Sequence, residues 1–322
     1  MQNPTYVYPN VSRKRTKVEP SRGGLKERWD SAKEFSCKYI EVPGNFLKKN
    51  ESIPTLNDGA MLTKEAIKEL YQKDSNLPSE LRYILHTDPE NETNHKLEWH
   101  ITAWQKQFAE MISNISQHFE VEPSIIEIHP GAGIKDPFAC IVEGITTILD
   151  FFQQTTKNRP LILLENRTYK QISNGREIRD FWRFLVDNNK ELTVVTGIVL
   201  DFKTLFTQNK ADLKKEYGKV SSEAVIASFQ QDLKTIPSEA LKAYHIHGFG
   251  DKPHQIPKEN DEIPWKNVFE KIKDNEGRII INPEVLNHSF VGPTIDFCNK
   301  CLETSIDDVA ICLGLKSQRP VI

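Results

Sequence analysis

The chain has 322 residues, 38% of them hydrophobic and 27% charged, which suits a globular protein of one large domain or two small ones. Its formal net charge of −3 gives no general sign of nucleic-acid binding, although a local basic face would be enough for it. No apolar run reaches the roughly 18 residues of a membrane span, and residues 1–10 lack the apolar core of a secretion signal, so we expect a cytoplasmic protein.

Eight apolar strand candidates alternate with helical patterns along the chain. Strands are predicted over residues 6–8, 38–42, 81–85, 125–128, 161–164, 196–200, 243–247 and 278–282. Helices are predicted over residues 25–35, 63–72 (with Thr63 as N-cap), 97–119, 138–153, 176–186, 222–233, 265–272 and 294–315, whereas 205–218 is polar and irregular in pattern.

Alternation at this spacing indicates parallel βαβ units, and eight units at this length favour a closed (β/α)8 barrel, the TIM barrel. An open, doubly wound sheet is the alternative, but no glycine-rich dinucleotide fingerprint follows the first strand. We therefore predict one barrel domain over 1–322, in which 1–24 form a short N-terminal strand and a basic loop. The loop carries Arg13, Lys14, Arg15 and Lys17, and clusters this short are more often solvated loops than phosphate contacts.

Cysteine usage adds little functional information. Five cysteines without a secretion signal indicate reduced thiols. Cys298 and Cys301 form a C-x-x-C pair, but the sequence has no second pair, and the surrounding residues show helical spacing. A structural zinc site needs four ligands, so we interpret this pair as helix packing.

Five of the predicted strands end in, or run into, a residue that can bind a metal. These residues are His86, His129, Glu165, Asp201 and His247. Parallel strands of a barrel end at one mouth, and alternation of side chains can direct these groups to the inner face. Any one of them could be a hydrogen-bonded core residue, but five ionisable groups at strand ends seldom accumulate without a function. Mixed imidazole and carboxylate ligands suit zinc, manganese or iron, of which we expect zinc first and manganese second, and two or three ions could bridge through Glu165.

Several short motifs carry a family resemblance. His129-Pro130-Gly131, Leu164-Glu165-Asn166 and the Gly-x-x-x-Asp of 197–201, together with His86 and His247, resemble the endonuclease IV group of xylose-isomerase-like TIM barrels. The resemblance implies a trinuclear zinc centre that hydrolyses a DNA phosphodiester at an abasic site. By that resemblance, His86, His129 and Glu165 form a complete first site, while Glu165, Asp201 and His247 form a second.

The chain departs from this family at three ligand positions. Thr204 replaces a histidine after strand six. In the strand-seven loop Lys252 replaces an aspartate, so His254 is the remaining plausible ligand there, and Asp251 could substitute only if the loop is shifted. Asn282 replaces a strand-eight glutamate, although Glu284 follows two residues later and could substitute. The resemblance then implies one or two ions and a third site that is largely dismantled.

Three functional hypotheses follow. The first is a metal-dependent hydrolase of DNA or another phosphodiester, with Glu165 and Asp201 as catalytic residues. The second is a sugar isomerase or epimerase, which would use one ion but normally needs the strand-eight glutamate as a base. The third is a non-catalytic barrel used for binding. For a phosphodiester we predict substrate contacts from three basic residues and one aromatic residue, namely Arg167, Lys203, Lys252 and Tyr169, with Phe249 as a further aromatic candidate.

Overall fold

Eight parallel strands close into a barrel in chain order, which confirms the predicted (β/α)8 fold and excludes the open sheet. The computed structural model describes residues 3–11, 22–48, 51–57, 59–87, 98–131, 137–155, 159–248, 254–258 and 261–303. The strands are β1 Thr5–Tyr8, β2 Tyr39–Pro43, β3 Tyr83–Thr87, β4 Ile125–Ile128, β5 Leu161–Glu165, β6 Thr196–Asp201, β7 Leu241–His245 and β8 Ile280–Asn282. Pairing of Thr5 with Ile280 closes the barrel between β1 and β8.

Helices cover the outside of the barrel. They are α1 Leu25–Glu34, α2 Lys64–Leu70, α3 Thr102–Phe119, α4 Pro137–Thr155, α5 Gly175–Asn188, α6 Phe202–Tyr217, α7 Ser222–Thr235, α8 Trp265–Lys273 and α9 His288–Glu303. Thr63 caps α2 as predicted, because its side chain accepts a hydrogen bond from the Ala66 amide. None of the helices in the described ranges is long and apolar enough to cross a membrane.

One predicted irregular segment is a helix. Residues 205–218 were expected to lack regular structure, but most of them belong to α6. Asp201 starts this helix by accepting the Thr204 amide, and Phe202, Leu205 and Phe206 bury its inner face. The helix has a short apolar face and a lysine-rich outer face, so its sequence shows only a weak amphipathic pattern. Packing of the apolar face against the barrel stabilises the helix.

Three other predicted boundaries were also displaced. The helix expected from residue 97 begins at Thr102, because Trp99 lies in the preceding turn and packs against Gly144 of α4. A Cβ at Gly144 would lie 2.4 Å from the indole ring, so only glycine permits this approach. Strand β7 ends at His245, which leaves His247 in the following loop. The last helix begins at His288, six residues before the predicted start, and residues 304–315 lie outside the described ranges.

The barrel interior has an apolar floor made of one residue from each strand. The floor residues are Val7, Tyr39, Ile84, Ile125, Leu163, Val199, Ala243 and Ile280. A larger apolar layer lies between the outward faces of the strands and the helices. Because side chains alternate along a strand, the next inward residue on each strand lies two positions further toward the mouth.

A buried arginine fixes the segment that joins β2 to α2. All five N–H groups of Arg22 have acceptors: the Glu51 carboxylate twice at 2.8 and 2.7 Å, the carbonyls of Asn45 and Phe46 at 2.6 and 2.7 Å, and the Tyr71 hydroxyl at 2.8 Å. Burial by itself raises the pKa of Glu51, but hydrogen bonds and charge from Arg22 outweigh it and hold that pKa below its usual value.

Glu51→Gln should lower the free energy of unfolding at pH 7 by about 2–4 kcal/mol, because it leaves the buried Arg22 charge without its carboxylate. The native pKa of Glu51 lies below the unfolded value, so its contribution is present above about pH 4.3 and is lost as pH falls through the native pKa. Urea unfolding of both proteins at pH 7 and pH 3 tests this. A difference that stays constant between the two pH values would contradict the ion-pair explanation.

Candidate metal centre

A layer of polar side chains lies directly above the apolar floor. Seven strands contribute to it, each with the residue two positions after its floor residue. This polar layer consists of Glu41, His86, Glu127, Glu165, Asp201, His245 and Asn282. All seven are buried except His86, whose side chain is 11% exposed. Four carboxylates and two imidazoles in one buried layer need partners of opposite charge or a cation.

Glu165 organises the β3–β5 side of the mouth. Its Oε2 atom lies 3.1 Å from Nε2 of His86, 3.2 Å from Nε2 of His129 and 3.9 Å from Nδ1 of His245. Its other oxygen, Oε1, accepts a hydrogen bond from Arg167 at 3.2 Å. We call Glu165, His86, His129 and His245 the Glu165 cluster.

Glu284 organises the opposite side of the mouth in the same way. It follows β8, and its Oε2 atom lies 3.4 Å from Nδ1 of His245, 3.6 Å from Nε2 of His247 and 3.7 Å from Nδ1 of His254. Nε2 of His247 also lies 3.5 Å from Oδ2 of Asp201. His245 therefore stands between the two carboxylates, Glu165 and Glu284.

Three groups of residues have the spacing of metal ligands. They are His86–His129–Glu165, Glu165–Asp201–His245 and His247–His254–Glu284, and in each the ligand atoms lie within 4.8 Å of one another. Bonds of 2.0–2.2 Å to a tetrahedral ion place neighbouring ligand atoms about 3.4 Å apart. Nε2 of His245 lies 3.3 Å from Oε2 of Glu127, which leaves its Nδ1, facing Glu284 at 3.4 Å and Glu165 at 3.9 Å, as the nitrogen available to a metal. The nitrogen and oxygen donors therefore fit a divalent ion such as zinc or manganese.

The electrostatics of the layer agree with this interpretation. Burial raises the pKa of Glu165, but the charges of His129, Arg167 and His245 outweigh that effect and hold the pKa well below its usual range. Burial also raises the pKa of Asp201, but the charge and hydrogen bond of His247 outweigh burial and lower that pKa. Glu165 and Asp201 are thus ionised at neutral pH. A bound cation would replace the protons of the neighbouring histidines as the counter-charge of these two carboxylates.

The structure brings most of the predicted ligands together. His86, His129 and Glu165 form one group as expected, and Asp201 lies in the polar layer. His247 lies beside Asp201, with Nε2 3.5 Å from Oδ2, but its ligand group is the one with His254 and Glu284, while His245 joins Glu165 and Asp201. The metal-binding roles of all these residues remain predictions.

Sequence reasoning missed three residues of the polar layer, namely Glu41, Glu127 and His245, as candidate site residues. Each lies two positions after an apolar floor residue, on the same strand face, and this parity was the available signal. Glu284 was recognised only as a possible substitute for a strand-eight ligand. Its carboxylate does reach the site, and Asn282 instead donates its amide to Glu41 at 2.9 Å.

The structure describes some of the predicted substrate contacts, and their roles stay predictions. Arg167 touches Glu165, and Lys203 lies half-buried in the first turn of α6. Tyr169 is 75% exposed on a left-handed backbone, with φ of 62°. Lys252, Asp251, Phe249 and the basic residues Arg13, Lys14, Arg15 and Lys17 lie outside the described residues. Cys298 and Cys301 are buried in α9, in agreement with helix packing.

Comparisons with known proteins establish the fold of the chain. No protein-family model and no curated protein sequence matches it. Among solved structures, an AP endonuclease, family 2, from Brucella melitensis has a TM-score of 0.50 at 11% identity, covering 92% of this chain and 99% of that one.

Two sugar-epimerase structures score similarly. A D-tagatose 3-epimerase-like protein has a TM-score of 0.49 at 15% identity, covering 88% of this chain and 97% of that one. D-psicose 3-epimerase from Clostridium cellulolyticum H10 has a TM-score of 0.48 at 12% identity, covering 93% and 100%. These neighbours are xylose-isomerase-like TIM barrels, and at such identities the likeness is one of fold.

Zinc should raise the thermal midpoint of the wild-type protein, because an ion that binds only the folded state stabilises it. At a free zinc concentration 100-fold above the dissociation constant the gain is about 2.7 kcal/mol, or about 4 °C for a chain of this size. Glu165→Gln should lose most of this shift. Thermal scans with zinc and with a chelator test the expectation. Glu120→Gln, which removes an exposed carboxylate paired with Lys73, is the matched control and should keep the full shift. Equal shifts in all three proteins would contradict the assignment.

Proposed function

We propose that this protein is a metal-dependent hydrolase of phosphodiesters, of which DNA is one candidate. The observation that supports the proposal is the position of Glu165. Its carboxylate belongs to two ligand groups at once, with His86 and His129 on one side and Asp201 and His245 on the other. A shared carboxylate is the usual way to hold two ions about 3.5–4 Å apart, the arrangement of two-metal hydrolases.

The chain's own residues would supply the remaining parts of such a reaction. When bound, zinc or manganese would lower the pKa of a water molecule to about 7 and offset charge on the phosphoryl oxygens. Glu165 and Asp201 stay ionised, since neighbouring histidines outweigh burial and lower the pKa of both carboxyls, and as catalytic residues they would hold the ions. Arg167, beside Glu165, and Lys203, at the start of α6, supply positive charge at the mouth for a phosphate group.

The sugar epimerase alternative has weaker support. It needs a carboxylate base on strand eight, but the Asn282 amide there donates to Glu41. Glu284 supplies a carboxylate nearby, although its Oε2 atom faces His245, His247 and His254. Three imidazoles around one carboxylate oxygen favour a metal-binding role for Glu284 over that of a base.

Metal content and hydrolysis should fall together when Glu165 is changed. We expect about two equivalents of zinc or manganese in purified wild type, by elemental mass spectrometry. We also expect cleavage of bis(p-nitrophenyl) phosphate and of abasic-site DNA. Glu165→Gln should lose metal and more than about 100-fold in kcat/KM, since loss of a ligand exceeds the 10–100-fold typical of outer-shell changes.

Two outcomes of this experiment would contradict the proposal. One equivalent of metal with epimerisation of ketoses and no hydrolysis would favour the isomerase class. Absence of bound metal, with wild type and Glu165→Gln alike in every assay, would leave a barrel used only for binding. Glu120→Gln serves again as the control that keeps metal and activity.

Reversing one charge at the mouth should separate a polyanionic substrate from a neutral one. Lys203→Glu should raise KM for DNA at least about tenfold at low salt while leaving metal content unchanged. Lys203 is preferred to Arg167 because Arg167 hydrogen-bonds directly to Glu165, whereas Lys203 influences His254 through its charge, and metal content is measured beside KM to detect any effect on the ligands. Lys190→Glu makes the same change at an exposed position ahead of β6, at the other end of the barrel, and should leave KM unaltered. Equal KM values for DNA in the two variants would contradict a substrate contact by Lys203.

A further inference from the structure

Glu41 is a buried carboxylate of the polar layer that belongs to none of the three ligand groups found among the described residues. It lies on β2 and is 5% exposed. Its Oε1 atom contacts Nδ1 of His86 at 2.9 Å. Its Oε2 atom accepts the side-chain amide of Asn282 at 2.9 Å and the backbone N–H of Asn10 at 3.2 Å. Residues from β3, from β8 and from the segment after β1 therefore hold this carboxylate in one orientation.

The contact with Glu41 leaves Nε2 as the nitrogen of His86 that can bind a metal. Each ring nitrogen faces a carboxylate, since Nδ1 lies 2.9 Å from Oε1 of Glu41 and Nε2 lies 3.1 Å from Oε2 of Glu165 in the Glu165 cluster. A metal ion bound with Glu165 would take the place of the proton on Nε2, while Nδ1 would keep its proton and donate it to Glu41. A carboxylate behind a histidine ligand typically orients the ring and strengthens its binding to metal.

Asn282 is matched to Glu41 by chemistry as well as by position. Its Nδ2 atom can only donate, and it lies within hydrogen-bond distance of Glu41. A carboxylate at position 282 would instead place two negative oxygens against each other in a buried layer, which is unfavourable. An acid on β2 thus requires an amide on β8, which accounts for the asparagine at this position.

We propose that Glu41, held by Asn282 and the Asn10 amide, is a positioning residue that sets the affinity of the His86–His129–Glu165 group for its metal ion. The proposal rests on the proposed function only in requiring that this group binds a metal. It assigns Glu41 no contact with substrate and no place in the reaction itself.

Zinc affinity, measured by competition with a chromophoric chelator, tests the proposal directly. Glu41→Gln should weaken zinc binding by about 10–100-fold, the range for outer-shell changes. Glu51→Gln, which also replaces a buried and paired glutamate with glutamine, should lose stability without losing zinc affinity. Urea midpoints of the metal-free variants show whether each is folded, so a general loss of stability cannot be mistaken for loss of positioning.

A double variant provides the rescue. In Glu41→Gln combined with Asn282→Asp, the new glutamine carbonyl can accept from His86 while its amide donates to the new aspartate. Zinc affinity should recover most of the loss seen in Glu41→Gln, because the hydrogen bonds to His86 and to residue 282 are both made, and only the contact with the Asn10 N–H is lost. Asn282→Asp alone should bind zinc more weakly than wild type. The visible spectrum of the cobalt-loaded double variant should match wild type, whereas direct ligation by the new aspartate would change it.

The possible outcomes separate this inference from the proposed function. Wild-type affinity for zinc in Glu41→Gln, or a double variant no better than Glu41→Gln alone, would overturn the positioning role and leave the metal centre standing. A wild-type protein that binds neither zinc nor cobalt would overturn both.

Discussion

The whole site depends on burying ionised groups inside a barrel whose floor is apolar. Five carboxylates (Glu41, Glu127, Glu165, Asp201 and Glu284) face five imidazoles (His86, His129, His245, His247 and His254) around the mouth. Each carboxylate lies within 3.5 Å of at least one imidazole nitrogen. Burial of that many charges is tolerable only where partners are close, because isolated ions lose their hydration. The alternation of side chains along the strands assembles the polar layer, and the segments after β4, β7 and β8 add His129, His247, His254 and Glu284.

Several residues of the layer also hold secondary structure in place. Asp201 ends β6, caps α6 through Oδ1 and presents Oδ2 to His247. Asn166, the residue after β5, holds the backbone of the same aspartate. Its side-chain NH2 donates to the Asp201 carbonyl, and its side-chain oxygen accepts the backbone N–H of Asp201. The Asp201 carboxylate is therefore positioned by helix capping and by cross-strand hydrogen bonds. The backbone N–H of Thr204, not its side chain, contacts the Asp201 carboxylate. The orientation of this carboxylate therefore does not require a metal ligand at position 204.

The fold alone does not identify the substrate, because one barrel architecture can host unrelated reactions such as hydrolysis and isomerisation. The arrangement of donors is more specific, because Glu165 and Glu284 each gather three imidazole nitrogens around one oxygen. Under the proposed function, two such oxygens with His245 between them would serve more than one ion, and basic residues at the mouth would contact a phosphate.

The sequence by itself determined the barrel, since eight apolar segments at regular spacing have few other ways to bury themselves. It also located His86, His129, Glu165 and Asp201, because polar residues at the ends of apolar runs stand out. Only the tertiary structure shows that His245 is the histidine grouped with Glu165 and Asp201, that Glu41 contacts His86, and that the Glu284 carboxylate reaches the site. Those choices depend on where each strand ends and on its register with neighbours, and a shift of one residue exchanges the inner and outer faces. Helix α6 was hidden for a related reason: its stability comes from packing against the barrel more than from its own pattern.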